Sequence, residues 1–194
     1  MTLVKTLRET LIALEAAEAD KEMGFSGSKP PLHQVITGND GEARLAQAKE
    51  YARELIQRGT LKNTPVEMNC HQPMSDAMVQ QFFKDAKKGM LIADGIEHLA
   101  RQETFTSLAM QAVNDGSCIV VMCGTNESLQ RLFADDPGLP RRFMSKVDMD
   151  DPDILSDIKE LEARQQAAEI EKMLTVQNPV QPMRPLRFVP KPDK

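Results

Sequence analysis

The sequence predicts an α/β layered fold built on a five-stranded, mainly parallel sheet. Two observations carry that prediction. Short β-branched or apolar runs alternate with amphipathic stretches along the whole chain, the pattern of βαβ units. Three of the runs stop at a turn-forming residue, Gly38, Asp94 and Gly124. In open parallel sheets ligands bind beyond the carboxyl ends of the strands, so those three positions are where a site is sought.

The elements follow in order. Leu3, Leu7, Leu11 and Leu14 form one apolar face over residues 2–21, an amphipathic helix. GFSGSKPP, residues 24–31, reads as a linker. Residues 33–37 are a short strand stopping at Gly38, and Leu45, Ala48, Ala52, Leu55 and Ile56 mark a helical face that ends at Gly59. Residues 65–70 form a second strand, and residues 74–88 a helix with Met78, Val79, Phe82 and Phe83 on its apolar side. Residues 90–93 read as a buried strand, 99–113 as a helix, and 117–123 as the strongest strand of all. A short helix at 129–133, the turn DDPGLP and a fifth strand at 144–149 complete the core. Residues 153–173 are a charge-laced helix capped by Asp153. The end of the chain is an extended segment holding Pro179, Pro182, Pro185, Pro190 and Pro192. The expected organisation is an N-terminal helix and linker (1–27), an α/β core (28–150), a C-terminal helix (151–174) and a proline-rich tail (175–194).

Composition narrows the function classes. The 194 residues carry a net charge of −5, which offers no electrostatic case for nucleic acid or an anionic membrane. No apolar stretch approaches a membrane span or a signal-peptide core, so the expectation is a soluble, cytoplasmic protein without membrane insertion. Cys70, Cys118 and Cys123 lack C-x-x-C spacing and are expected as buried thiols. His33, His71 and His98 are scattered and show no metal spacing, so no metal site is expected.

Four ordered blocks carry a resemblance: ITGNDGEARLAQAKEYARELIQRG, KKGMLIADGIEHLA, SCIVVMCGTNESLQRLFADDPGLPRRF and VDMDDPDILSDIKEL. Together they resemble the core of an AAA+ ATPase, of the branch containing red-type rubisco activases and type VII secretion ATPases. In order they match the Walker A strand, loop and helix, the Walker B strand, the sensor-1 strand through the arginine finger, and the start of the lid. The resemblance covers residues 30–165 and implies a three-layer P-loop core with strand order 5-1-4-3-2. It also implies a lid, of which the single helix at 151–174 would be a remnant, leaving the lid truncated or missing.

The chemistry of that family is only partly present. A phosphate-binding loop needs G-x-x-x-x-G-K-[ST], with backbone amides and a Lys on the phosphates and a hydroxyl on Mg²⁺. In that register the chain has Gly38, Asn39, Asp40 and Gly41, then Ala43 for the second glycine, Arg44 for the Lys and Leu45 for the hydroxyl. Leucine offers no ligand atom, and the planar Arg fork differs from a compact ammonium. At Walker B, Asp94 matches the Mg²⁺-holding Asp, but Gly95 stands at the Glu that would handle the attacking water. Glu97 is expected to point elsewhere. Sensor 1 matches Thr125 or Asn126, and Arg142, beside Arg141, matches the finger that acts on a neighbouring subunit's ATP.

The expected reading is a degenerate nucleotide site at Gly38, Asn39, Asp40, Gly41, Arg44, Asp94 and Thr125, without catalytic residues or cofactor. Arg44 is expected as a solvated or ion-paired helix residue and Asp94 as a strand-end cap or turn residue. Arg142 is either a finger in trans or a structural salt bridge. The chain would then be a pseudo-ATPase scaffold or regulator with a protein partner, an active AAA+ subunit or a second copy of itself. The N-terminal helix and the proline-rich tail are its candidate docking elements. The alternative is a weak ATPase using ATP and Mg²⁺ through Arg44, Asp94 and Glu97.

Overall fold

The computed structural model describes residues 3, 5–24, 30–99, 103–143 and 145–177. Within them lie strands β1 (Gln34–Thr37), β2 (Val66–Asn69), β3 (Met90–Asp94), β4 (Ile119–Gly124) and β5 (Ser145–Asp148). The helices are α1 (Lys5–Glu22), α2 (Gly41–Gln57), α3 (Asp76–Asp85), α4 (Glu103–Asp115), α5 (Asn126–Asp135) and α6 (Pro152–Gln177), with a 3-10 turn at Ile96–His98. The strands form one sheet in the order β2-β3-β4-β1-β5, which is the expected 5-1-4-3-2 read from the other edge. Every neighbouring pair is parallel.

Strand periodicity divides the interior into two layers. Val120 and Met122 of β4 face one side with Val79 of α3, Phe105 and Ala109 of α4, and Leu129 and Leu132 of α5. Val121 and Cys123 face the other with Ile36, the α1 leucines and Ala48, Tyr51 and Leu55 of α2. The result is a three-layer α/β/α sandwich. Cys118 and Cys123 lie in opposite layers, and all three cysteines are buried and free, as expected.

Several element ends differ from expectation for identifiable reasons. α2 begins at Gly41, because the Asp40 side chain accepts from the amides of Glu42 and Ala43 and starts the helix early. α6 begins at Pro152, which fits the first helical position, where its missing N–H is not needed. Its cap is Asp151, whose carboxylate accepts from the Asp153 amide at 2.9 Å; Asp153 itself lies inside the helix. α4 is described from Glu103, whereas the expected start was 99; Leu99 itself follows the 3-10 turn and is not helical.

α1 is not a free docking face. Leu7, Leu11 and Leu14 are at most 1% exposed. The helix is tied to α2 by Arg58–Glu15 and to α6 by Arg8–Asp157. No helix among the described residues is long and apolar enough to cross a membrane. The proline-rich tail lies outside the described residues from 178 onward.

Candidate functional site

Parallel strands with aligned registers bring their carboxyl ends to one edge. There, the β1–α2 turn and the ends of β2 and β3 hold most of the predicted site residues.

The β1–α2 turn is only Gly38, Asn39 and Asp40 long. Gly38 has φ of 149°, and a Cβ there would meet the Met149 side chain at 2.8 Å, so only glycine fits against the end of β5. Three amides of the turn and the first turn of α2 are engaged by the chain's own carboxylates, and Gly38 N donates to the Gly124 carbonyl at 3.3 Å. Asn39 donates to Asp150 at 2.9 Å. Glu42 and Ala43 donate to Asp40 at 3.0 and 3.1 Å. Arg44 departs from expectation: it is 3% exposed and has no ion pair among the described residues; its guanidinium folds back to donate to the Gly38 carbonyl, while its Nε is buried without a partner among those residues. Helical spacing sends the side chain toward the helix N-terminus, straight into the turn. A Cβ at Gly41 would lie 3.5 Å from Arg44 Nη2, an ordinary van der Waals contact.

Asp94 ends β3, 16% exposed, with Oδ2 3.5 Å from Nε2 of His71. Its Oδ1 is buried and has no hydrogen-bond partner among the described residues. His71 is set by an Asx turn at the end of β2, where its amide donates to Asn69 Oδ1 at 3.0 Å. The register pairs Asn69 with Asp94, which puts the two strand exits side by side. Gly95 follows in a left-handed conformation, φ 82°, and a Cβ on it would meet the His71 ring at 2.8 Å. The histidine ring thus lies over the position where the resemblance would place a Glu. Ile96 plugs the core beneath, close against Gly124, which has no Cβ to oppose it.

Glu97 turns inward rather than away, against expectation. Its Oε2 is buried and without a partner among the described residues. One ligand-type atom each of His71, Glu97 and His98 lie within 4.8 Å of one another, and the two imidazoles meet edge-on with centroids 5.3 Å apart. The expectation of scattered histidines therefore fails for this pair. Sequence spacing missed the group because its members come from two strands; the signal available was a His just past one strand end and Glu-His just past the next. A cleft of about 370 Å³ opens beside them, lined in part by Pro73, Met74 and Leu99. Nearby, the Cys70 thiol is pushed up to about 12, first by burial and then by the Asp94 and Glu97 carboxylates. Cys123 is pushed up by burial first and Asp94 next, with Arg44 opposing.

The remaining predicted residues hold structural contacts. Thr125 caps α5 by accepting from Ser128 N at 3.2 Å. Asn126 donates to Asp148 at 2.7 Å and accepts from Lys146 at 2.6 Å, fastening α5 to β5. Arg142 donates to Asn114 Oδ1 at 2.9 Å and to the Gly138 carbonyl at 3.1 Å, neutral oxygens rather than the carboxylate of a salt bridge. His33 is part of the fold: its Nδ1 accepts from Val120 N at 3.1 Å, and burial lowers its pKa.

No protein-family profile matches the chain. The chain is similar to the chromosomal CbxX protein of Cupriavidus necator, 24% identical over 144 residues that cover 66% of this chain and 45% of CbxX. It is likewise similar to a CfxQ homolog of Cyanidium caldarium, 24% identical over 165 residues, covering 76% of this chain and 58% of that one. The chain spans about half the length of the curated relatives it matches. Among solved structures, the P-loop NTPase domain of a sigma-54 transport activator from E. coli is similar, with TM-score 0.47 and 17% identity, covering 60% of this chain and 88% of that one. The curated relatives, together with the strand order, support an AAA+ relationship.

Proposed function

We propose that this chain is an AAA+-like module that does not turn over ATP and works through protein contacts, as a scaffold or regulator. One observation carries the reading: groups of the chain itself occupy the β1–α2 turn. The amide of Asn39 faces Asp150, those of Glu42 and Ala43 face Asp40, and the Arg44 guanidinium covers the Gly38 carbonyl. A phosphate would have to displace two carboxylates that also repel it. The residues present therefore do not fit Mg²⁺–ATP. Leu45 supplies no oxygen to a metal, and Gly95 leaves no carboxylate to orient water, with the His71 ring in that space. Loss of a single catalytic acid–base group typically removes about 10²–10⁴ in rate, and three positions are altered together.

The partner in this reading is another protein: an active AAA+ subunit or a second copy of the chain. The proline-rich tail is the docking element it leaves available, since extended proline segments bind with little ordering cost. With the α1 leucines buried, that helix is not a second one.

Phosphate release from ATP by the purified full chain tests the first half. The expected rate equals that of Asp94→Asn; turnover that this variant abolishes would overturn the reading. Mixing the chain with an active subunit of the rubisco-activase-like branch tests the second half. A changed ATPase rate of that subunit, lost on deleting residues 176–194, is expected. An unchanged rate, with a monomer in sedimentation, would remove both proposed partners.

A further inference from the structure

We infer that His71, Glu97 and His98 form a binding site for a divalent transition-metal ion of the Zn²⁺ class, with Asp94 orienting His71. Two imidazoles and a carboxylate are the donor set such ions prefer, whereas Mg²⁺ and Ca²⁺ take oxygen ligands. The three donor atoms already lie within 4.8 Å of one another. Around tetrahedral Zn²⁺, with bonds of about 2.0–2.2 Å, ligand atoms sit roughly 3.4 Å apart. His71 and His98 are both exposed, so small side-chain rotations close that gap without moving the core.

An independent observation points to a cation. Glu97 Oε2 and Asp94 Oδ1 are buried and without hydrogen-bond partners among the described residues. A buried carboxylate oxygen left unpaired is costly, and a dication between the carboxylates and imidazoles would relieve it. Asp94 Oδ2, 3.5 Å from Nε2 of His71, occupies the place of the carboxylate that commonly steadies a metal-bound imidazole. Three protein ligands leave a fourth tetrahedral position for water, and the adjoining cleft gives an ion a way in. The site needs no nucleotide and stands whether or not the chain binds ATP.

The test uses the full chain, stripped with a chelator and titrated with Zn²⁺ alone. One equivalent should bind, and at 100 times its Kd the melting temperature should rise by about 5–11 °C. The rise should vanish in His71→Ala and His98→Gln, whose metal-free melting stays near the parent's because both side chains are exposed. Mg²⁺ should give no comparable rise. Zn²⁺ binding unchanged in both variants, binding without one-to-one saturation, or an equal response to Mg²⁺ would overturn the site. Should a variant fail to fold, Co²⁺ on the unaltered chain decides. The intense visible absorption of tetrahedral Co²⁺ supports the site, and a weak octahedral spectrum or none refutes it.

Discussion

The strand exits on either side of β4, that of β1 and those of β3 and β2, hold their polar groups differently. At the exit of β1, the amides of Asn39, Glu42 and Ala43 and the Gly38 carbonyl have partners in Asp150, Asp40 and Arg44, and the one buried atom without a partner among the described residues is a donor, Arg44 Nε. At the exits of β2 and β3, two carboxylate oxygens are buried without partners among the described residues, and two histidines converge on them. In the proposed reading, internal partners close a ligand site at one strand exit, while unmet carboxylate oxygens remain two strands away. The open exit is where a ligand would add most to stability.

The comparison can be broken from either side. The largest effect is expected at the β3 exit for Gly95→Glu, which restores the residue the resemblance would place there. It forces a side chain onto a backbone with φ of 82° and into the His71 ring. The strain and collision should destabilise the fold by about 3 kcal/mol, read by urea unfolding, and should displace His71. A neutral outcome would mean that His71 moves freely and the crowding is not real.

Next is Arg44→Ala at the β1 exit. It strips the Gly38 carbonyl of its donor and leaves unfilled space, for a loss of about 2 kcal/mol. A stability change within about 0.5 kcal/mol, usual for an exposed surface position, would contradict the burial of Arg44. Asp40→Ala removes the α2 cap and should cost about 1 kcal/mol. If the turn is closed by its carboxylates, the same variant should gain no affinity for phosphate unless Asp150 is also neutralised.

The smallest effect lies in pH. His33 accepts from Val120 N and its folded pKa is lowered by burial from the ordinary 6.5. The unfolded chain therefore binds the proton first, and stability present above pH 6.5 is lost as pH falls through the folded value. One group contributes at most about 1.4 kcal/mol per pH unit. Melting curves between pH 7 and 5 should show a shallower decline for His33→Gln than for the parent. An identical decline would assign the acid sensitivity elsewhere.

Much of the framework was legible in the sequence, because strand and helix periodicities are local. The runs ending at Gly38, Asp94 and Gly124 are strands, and the order of the sheet follows the resemblance. The position of the site edge followed from the same strand ends. What local patterns could not show was which partners those ends would find. Arg44 reads as a surface residue because arginine usually is one; its burial depends on the carbonyl of Gly38 in the turn that precedes its helix. Asp150 lies far along the chain from Asn39 and reaches it only because β5 pairs with β1. His71 and Glu97 meet for the same reason, through the register of β2 on β3.

The most direct test of the closed β1 exit is a thermal-shift titration of the full chain with Mg²⁺–ATP, beside Asp94→Asn. Closure from within predicts no change in melting temperature up to millimolar nucleotide. A saturable rise of about 5–11 °C, lost in Asp94→Asn, would show that phosphates displace Asp40, Asp150 and Arg44, and would contradict it.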